Sequence, residues 1–488
     1  MTAPSVVSTG ILLKPDNSRV LVRPFIPSDS TAVLRIIERA LLKSDEEITQ
    51  QMGELNGHFS GRHQNVEAAW DRCYASVRSL VPYEDTLSPE RRRYIGALFS
   101  GEYALESAAL FNPSIVLHPD QSGLAGDEIR FIMSLRATGE GHISSITFRS
   151  GVIGGSHSVR LGGRSAHVSA PALHPDPIFS RGVFFRKLAE MRFDNSWTEA
   201  LKQSLPDRFT RRELNAAMLT AKGVTRTSSR ESERMSECIR WLSEANYEVV
   251  FDPSIPLSER VIFPVSPNES NGMEDARFVR FTGDDGIITY YATYTAYNGR
   301  AILPQLLETS DFNSFRAITL NGSAVRNKGM ALFPRKVGGK YLMVSRQDDE
   351  NLYLMESGDM HVWEDARLLR RPVEPWEVVK IGNCGSPIET ESGWLLLTHG
   401  VGPMRRYSIG AILLDLDDPS IVIGHLAMPL VEPDEPLRNG YVPNVVYTCG
   451  AIIHRGKLIL PYGLSDTLVT IATVDLNDLL RALDPRLE

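Results

Sequence analysis

The densest polar stretch of the chain is Asn271-Gly272-Met273-Glu274-Asp275-Ala276-Arg277, directly before the apolar run Phe278 to Phe281. Two carboxylates and a guanidinium this close suit either of two roles: an ion pair where a strand begins, or a catalytic carboxylate with its charge partner. Adjacent side chains on an extended strand face opposite ways. Glu274 and Asp275 are therefore expected on different faces, one toward a pocket and the other toward a buried partner such as Arg277. Further polar clusters follow later apolar runs: Tyr297 with Asn298, Arg346 with Asp349 and Glu350, Thr398 with His399, and Tyr462 with Asp466.

The elements that must position these clusters repeat. Each begins with a glycine-containing turn, continues as a short apolar or aromatic strand and ends in polar residues. The glycines at 286, 339, 393 and 456 are separated by 53, 54 and 63 residues, lengths that suit one four-stranded propeller blade each. Radial repetition brings equivalent strand ends around one axis, so clusters distant in sequence should meet in one pocket.

The first hundred residues read differently. After a short strand at Val20 to Phe25, residues 31–50 carry Val33, Leu34, Ile36, Ile37, Leu41 and Leu42 on one helical stripe, and Gln64 to Leu80 and Pro89 to Leu110 also read as helices. Strand alternation starts at Ile129. Helical spacing returns over residues 180–245, where Met235, Cys238, Ile239 and Leu242 fall at i, i+3, i+4 and i+7. The expected organisation is a mostly helical N-terminal extension, residues 1–105, then a β-domain, residues 106–488, with a helical insertion at about 180–245. A short helix at Asn477 to Leu483 is expected to seal the ring.

With 52 Lys and Arg against 60 Asp and Glu in 488 residues, the chain is mildly acidic, which argues against nucleic acid or an anionic membrane as its main partner. A small neutral substrate fits better. Cys73, Cys238, Cys384 and Cys449 are scattered without metal-ligand spacing, so neither a zinc site nor a disulfide framework is expected. The N-terminus beginning Met1-Thr2-Ala3-Pro4 has no charged segment leading into an apolar core, and no apolar run reaches membrane-spanning length, so the expectation is a soluble cytoplasmic protein.

Several motifs together carry a resemblance. Asn271 to Phe281, Asn327-Lys328-Gly329-Met330-Ala331-Leu332-Phe333-Pro334-Arg335, Gly382 to Ile388, Trp394 to Gly400, Tyr407 to Pro419, Gly440 to Val446 with Cys449-Gly450, and Tyr462 to Thr467 resemble, in order, glycoside hydrolase family 130, the β-mannoside phosphorylases and β-1,2-mannosidases. The resemblance spans roughly residues 110–488 and implies an all-β core built as a five-bladed β-propeller. It implies that Asp275 is the proton donor of an inverting mechanism, acting through the mannose 3-hydroxyl. Arg136 resembles the arginine that grips the non-reducing mannose and Asp466 a carboxylate that holds its hydroxyls. Tyr297 and Tyr462 are candidate sugar platforms.

The family divides on whether water or phosphate attacks the anomeric carbon. Phosphate needs several cations or donors and no nearby carboxylate, whereas water needs a carboxylate base. Lys328 resembles the family's phosphate-contacting lysine, and Arg346, Arg405 and Arg406 are placed to assist. Against this, Ser345 stands where the phosphorylases carry a histidine, and Ala276 and Lys328-Gly329 resemble the hydrolytic branch. Glu350 and Glu389 are the candidate bases, while His399 and Arg405 to Tyr407 are candidate contacts to the leaving sugar. The expectation is therefore an inverting β-mannosidase acting on short β-1,2-linked manno-oligosaccharides. Phosphorolysis to α-mannose 1-phosphate is the alternative, with inorganic phosphate as co-substrate, and a non-catalytic sugar-binding propeller is a third reading. No metal or cofactor is expected, and the helical extension is a candidate surface for homo-oligomerisation.

Overall fold

A computed structural model of the chain describes residues 4–224, 229–435 and 438–483. The expected leader-free start at Met1 to Ala3, residues 225–228 of the helical insertion and the last five residues of the β-domain lie outside that set.

The protein is mostly β, and five antiparallel meanders make up its larger part. The first runs through Ala109–Leu117, Ile129–Thr138 and Ser144–Ile153; the second through Gly272–Thr282, Ile288–Tyr297, Ile302–Thr309 and Ser314–Thr319, extended outward by Tyr247–Val250 and then Ala172–Leu173. These two share one sheet through a single parallel register, Gly272 opposite Ser144. The third holds Ala331–Leu332, Tyr341–Ser345, Leu352–Ser357 and Asp365–Arg370, and the fourth Lys380–Asn383, Gly393–Gly402, Arg406–Leu414 and Val422–His425. The fifth combines Val446–Tyr447, Lys457–Leu464 and Leu468–Asp475 with a strand from the other end of the chain, Val6–Leu13, antiparallel to Leu468–Asp475. That N-terminal strand was not expected. Its side chains alternate weakly in a polar stretch, and only the exposed edge of Leu468–Asp475 gives it a partner.

The repeated glycines lie where the first and second strands of meanders two to five join, and Gly286, Gly339 and Gly456 take left-handed φ of 77°, 76° and 74°. The first meander is joined by a longer loop, residues 118–128, which also holds a left-handed glycine, Gly123 at φ 70°, and is braced by Gln121 donating to the carbonyls of His118 and Arg130.

Four helices, Ser30–Leu41, Asp45–Phe59, Val66–Val77 and Pro89–Leu98, pack around Val33, Ile37, Ile48, Trp70, Tyr74, Ile95 and Phe99. Two details depart from expectation. Leu34 and Leu42 face solvent, so the buried stripe is narrower than the apolar pattern. The fourth helix stops at Leu98, because Ser100–Ala104 turns into a strand paired with Val20–Pro24. A buried charge cluster fastens this layer to the first meander: Arg19 and Arg149 both approach Glu106, at 3.3 and 3.0 Å, and Arg19 also donates to the Ser258 carbonyl. The helices Arg181–Glu190, Ser196–Gln203, Arg211–Val224 and Ser229–Ala245 bury a separate core around Phe184, Trp197, Phe209 and Ile239. The closing helix Leu476–Leu483 places Leu479, Leu480 and Leu483 against Leu413, Leu426 and Leu458, between the fourth and fifth meanders. No helix among the described residues is long and apolar enough to cross a membrane.

Candidate active site

In every meander the first strand begins, and the second ends, at the edge opposite the glycine turns. A polar cavity of about 320 Å³ opens there, lined by Phe111, Asn112, Arg136, Glu274, Asp275, Lys328, Arg346, Asp349, Lys380, His399, Arg405, Tyr407, Val445, Tyr447 and Asp466.

Glu274 and Asp275 both face this cavity, contrary to the alternation expected of an extended strand. The strand Gly272–Thr282 shifts register between Glu274 and Arg277, and Asp275 takes a left-handed φ of 55°. A bulge of this kind adds a residue without advancing the pairing, so two consecutive side chains keep to one side. Arg136 then binds both carboxylates: Nη2 donates to Glu274 at 2.8 Å and Nη1 to Asp275 at 3.1 Å. Nε of Arg136 donates to the Ser144 hydroxyl, fixing the fork. The first meander carries the same device. Ala109–Leu117 shifts register between Phe111 and Ser114, Asn112 has φ 48°, and its amide donates to Asp275 at 2.5 Å.

Arg277, expected as the charge partner of this pair, is fully buried behind the cavity. It donates to the Cys384 carbonyl, the Asp275 carbonyl and the Tyr447 hydroxyl, each at 2.8 to 2.9 Å, and thereby holds the bulged backbone. Burial pushes the Asp275 carboxyl up, but the charges of Arg136, Arg277 and Lys328 and the Asn112 hydrogen bond outweigh it and hold it well below the usual carboxylate range. Asp466 behaves oppositely. Burial and the nearby Asp275 charge raise it to about 7 against the pull of Arg136 and Arg405.

The other wall is cationic. Arg346 is 4% exposed, and its guanidinium lies against Gly329, whose φ is 87°; a Cβ there would come within 2.5 Å of Nε. Gly382 likewise makes room for the His399 ring and the Arg346 stem. Nη1 of Arg346 lies 3.3 Å from Nε2 of His399. Burial, with the charges of Arg346, Arg277 and Lys380, drives His399 well below its ordinary value, so it is neutral. Lys380 and Lys328 complete this wall.

Of the residues singled out from sequence, Asp275, Arg136, Glu274, Lys328, Arg346, His399, Arg405, Tyr407 and Asp466 meet in the cavity. Arg277 stands behind it, Arg406 turns away to pair with Glu432 at 2.6 Å, and five more do not line it. Glu389 pairs with Trp394 in the hairpin at the far end of its meander, five residues or about 17 Å along the strand from His399, where it is bidentate to Arg335 at 2.6 and 2.8 Å. Glu350 is exposed on the rim loop. Tyr297 ends its strand between Gly272 and Ile302, the Asn298 side chain accepts from the Arg300 and Ala301 amides of its turn, and Tyr462 packs on the apolar cluster around Leu464. Asn112, Phe111, Lys380, Val445 and Tyr447 escaped sequence reading. Asn112-Pro113 inside an apolar strand was a usable signal, since proline within a sheet marks a bulge or edge and asparagine tolerates left-handed backbone.

The profile of glycoside hydrolase family 130, described as β-1,4-mannooligosaccharide phosphorylase, matches residues 246–485. The chain is 32% identical over 250 residues to a 1,2-β-oligomannan phosphorylase of Thermoanaerobacter sp. (strain X514), covering 49% of this chain and 81% of the relative. It is 32% identical over 231 residues to a β-1,2-mannobiose phosphorylase of Listeria innocua, covering 46% and 63%. A solved Listeria innocua β-1,2-mannobiose phosphorylase in complex with β-1,2-mannobiose aligns over 77% of this chain and 92% of that one, with TM-score 0.45 and 21% identity. The chain belongs to glycoside hydrolase family 130, and so to the carbohydrate-active enzymes.

Proposed function

We propose that this protein is an inverting β-mannoside phosphorylase that cleaves β-1,2-linked manno-oligosaccharides with inorganic phosphate, releasing α-mannose 1-phosphate and a shortened chain. The observation that carries the reading is the cavity wall formed by Arg346, Lys380 and Lys328 beside a neutral His399. A phosphate dianion is held by such a set of cations and donors, and water gains nothing from it. The hydrolytic expectation took Glu350 and Glu389 as bases, beside the likeness of Ser345, Ala276 and Lys328-Gly329 to the hydrolytic branch. Glu389 lies at the opposite strand ends and Glu350 faces solvent, so neither is placed to deprotonate water at the sugar. The relatives named as phosphorylases of β-mannosides support the same choice.

In this mechanism a phosphate oxygen attacks C1 from the cationic side while the C1–O bond to the leaving sugar breaks on the opposite face. The leaving oxygen needs a proton, and Asp275 is its source, relayed by the mannose 3-hydroxyl. Asp275 is ionised against Arg136 and Asn112. Sugar hydroxyls competing for those donors, together with the exclusion of water, raise its proton affinity as the substrate seats. Asp466 and Arg136 hold the hydroxyls of the terminal mannose. The five meanders are read as the blades of a five-bladed propeller, with Val6–Leu13 closing the fifth blade from the opposite end of the chain.

The test is incubation with β-1,2-mannobiose with and without inorganic phosphate, with identification of the products. The reading expects α-mannose 1-phosphate formed strictly in proportion to added phosphate. Free mannose released equally well without phosphate would overturn it.

A further inference from the structure

The cationic wall contains a carboxylate of its own, Asp349, whose Oδ2 lies 2.9 Å from Lys380 Nζ and whose Oδ1 lies 3.8 Å from Arg346 Nη1. Its backbone has a left-handed φ of 61°, which turns the side chain inward where the next residue, Glu350, faces out. The two partners differ in freedom: the Arg346 side chain is 5% exposed and Asp349 49%. The guanidinium is therefore fixed, and its Nε is buried with no hydrogen-bond acceptor, whereas the carboxylate sits at the open side and can leave.

We propose that Asp349 is a built-in competitor for the phosphate site: its carboxylate occupies the place of the incoming anion on Lys380 and Arg346, and phosphate binds by displacing it. The inference rests on the phosphorylase reading. Asp349 thus sets how much phosphate the enzyme needs, keeping the paired cations neutralised until the dianion, with more acceptor oxygens and a second charge, exchanges for it. The same residue gives selectivity against monoanions, which gain too little from Lys380 and Arg346 to replace a tethered carboxylate.

The rim loop does not depend on Asp349 for its shape. The neighbouring Asp348 organises it, accepting from the Glu350 and Asn351 amides, the Asn351 side chain and the Tyr353 hydroxyl. Asn and Gly both suit left-handed backbone, so Asp349→Asn and Asp349→Gly should fold. Inorganic phosphate is titrated calorimetrically into the full-length wild-type and variant proteins, and the KM for phosphate is measured with β-1,2-mannobiose. Both variants are expected to bind phosphate about two- to fivefold more tightly, the range of a partly exposed ion pair, with KM for phosphate falling in step. A purely structural role for Asp349 would not tighten binding. Unchanged or weaker phosphate binding in both variants overturns the proposal. So does loss of a phosphate-independent mannose release present in the wild type, which would make Asp349 a base for water. Failure of the two readings is separable: phosphate bound more tightly by the variants without phosphorolysis of β-1,2-mannobiose would refute the proposed function alone, and phosphorolysis with unaltered phosphate binding would refute this inference alone.

Discussion

Replacing Asp275 with Asn removes the proposed proton source while keeping its shape. The amide oxygen still accepts from Asn112 and Arg136, which bind Asp275 Oδ1 at 2.5 and 3.1 Å, and Arg136 keeps Glu274 as a full counter-charge at 2.8 Å. The buried cation is not orphaned, so the fold should lose about 1–3 kcal/mol rather than the larger amount of a broken buried pair. Catalysis should lose far more. A positioned general acid contributes about 10²- to 10⁴-fold, or about 3–5 kcal/mol of barrier. The assay compares β-1,2-mannobiose with 2,4-dinitrophenyl β-mannoside, whose phenolate leaves without a proton, at saturating phosphate. Turnover of the disaccharide should fall at least a hundredfold and that of the aryl mannoside about tenfold or less. An equal loss on both, with thermal melting intact, would refute the role of Asp275 as proton donor. The acid limb of stability gives an independent check. The Asp275 carboxyl is depressed in the folded state from an ordinary 3.8, so its stabilisation is present above that value and lost as pH falls below it. Asp275→Asn should flatten that limb.

Asp466 carries the opposite sign. Its carboxyl is raised from 3.8 to about 7, so the folded state holds a proton that the unfolded chain releases, and stability falls as pH rises from about 4 to 7. Asp466→Asn should therefore raise stability at pH 8 by on the order of 2 kcal/mol, read as a higher Tm, and not at pH 3.5, while raising KM for the mannoside; an equal shift at both pH values would contradict the assignment. Glu389→Gln should leave turnover within twofold and cost at most about 1 kcal/mol of stability, since the Glu389–Arg335 pair is two-fifths exposed and far from the cavity. A tenfold fall in turnover would return Glu389 to the site.

Much of the scaffold was legible because it is written in local patterns. Glycine turns at 286, 339, 393 and 456 marked four hairpins, and the polar residues after the following strands marked the cavity edge of those same hairpins. The first meander was less visible because its connection is a longer polar loop, residues 118–128, braced by Gln121, and Val6–Leu13 was invisible because its partner lies more than 450 residues away. Asp349 and Glu350 show the limit within a single loop. Sequence reading chose Glu350 as the candidate base, whereas the left-handed turn at Asp349 puts that carboxylate beside the cations.

What the sequence by itself determined is the set of strands, their turns and the supply of acids and bases at one end of each hairpin, because those follow from residue periodicity and backbone preference. Tertiary structure alone decided which of these groups share a space. Two bulges, at Asn112 and Asp275, break the alternation that sequence reading depends on, and each is held by a partner from another meander, Asn112 by Asp275 and Asp275 by Arg136, with Arg277 of the same strand holding the Asp275 carbonyl. A side chain's direction at a bulge is set by long-range hydrogen bonds that no local pattern encodes, and the arrangement of charge in the cavity, with Asp275 ionised and Asp466 near 7, exists only once those distant groups are brought together.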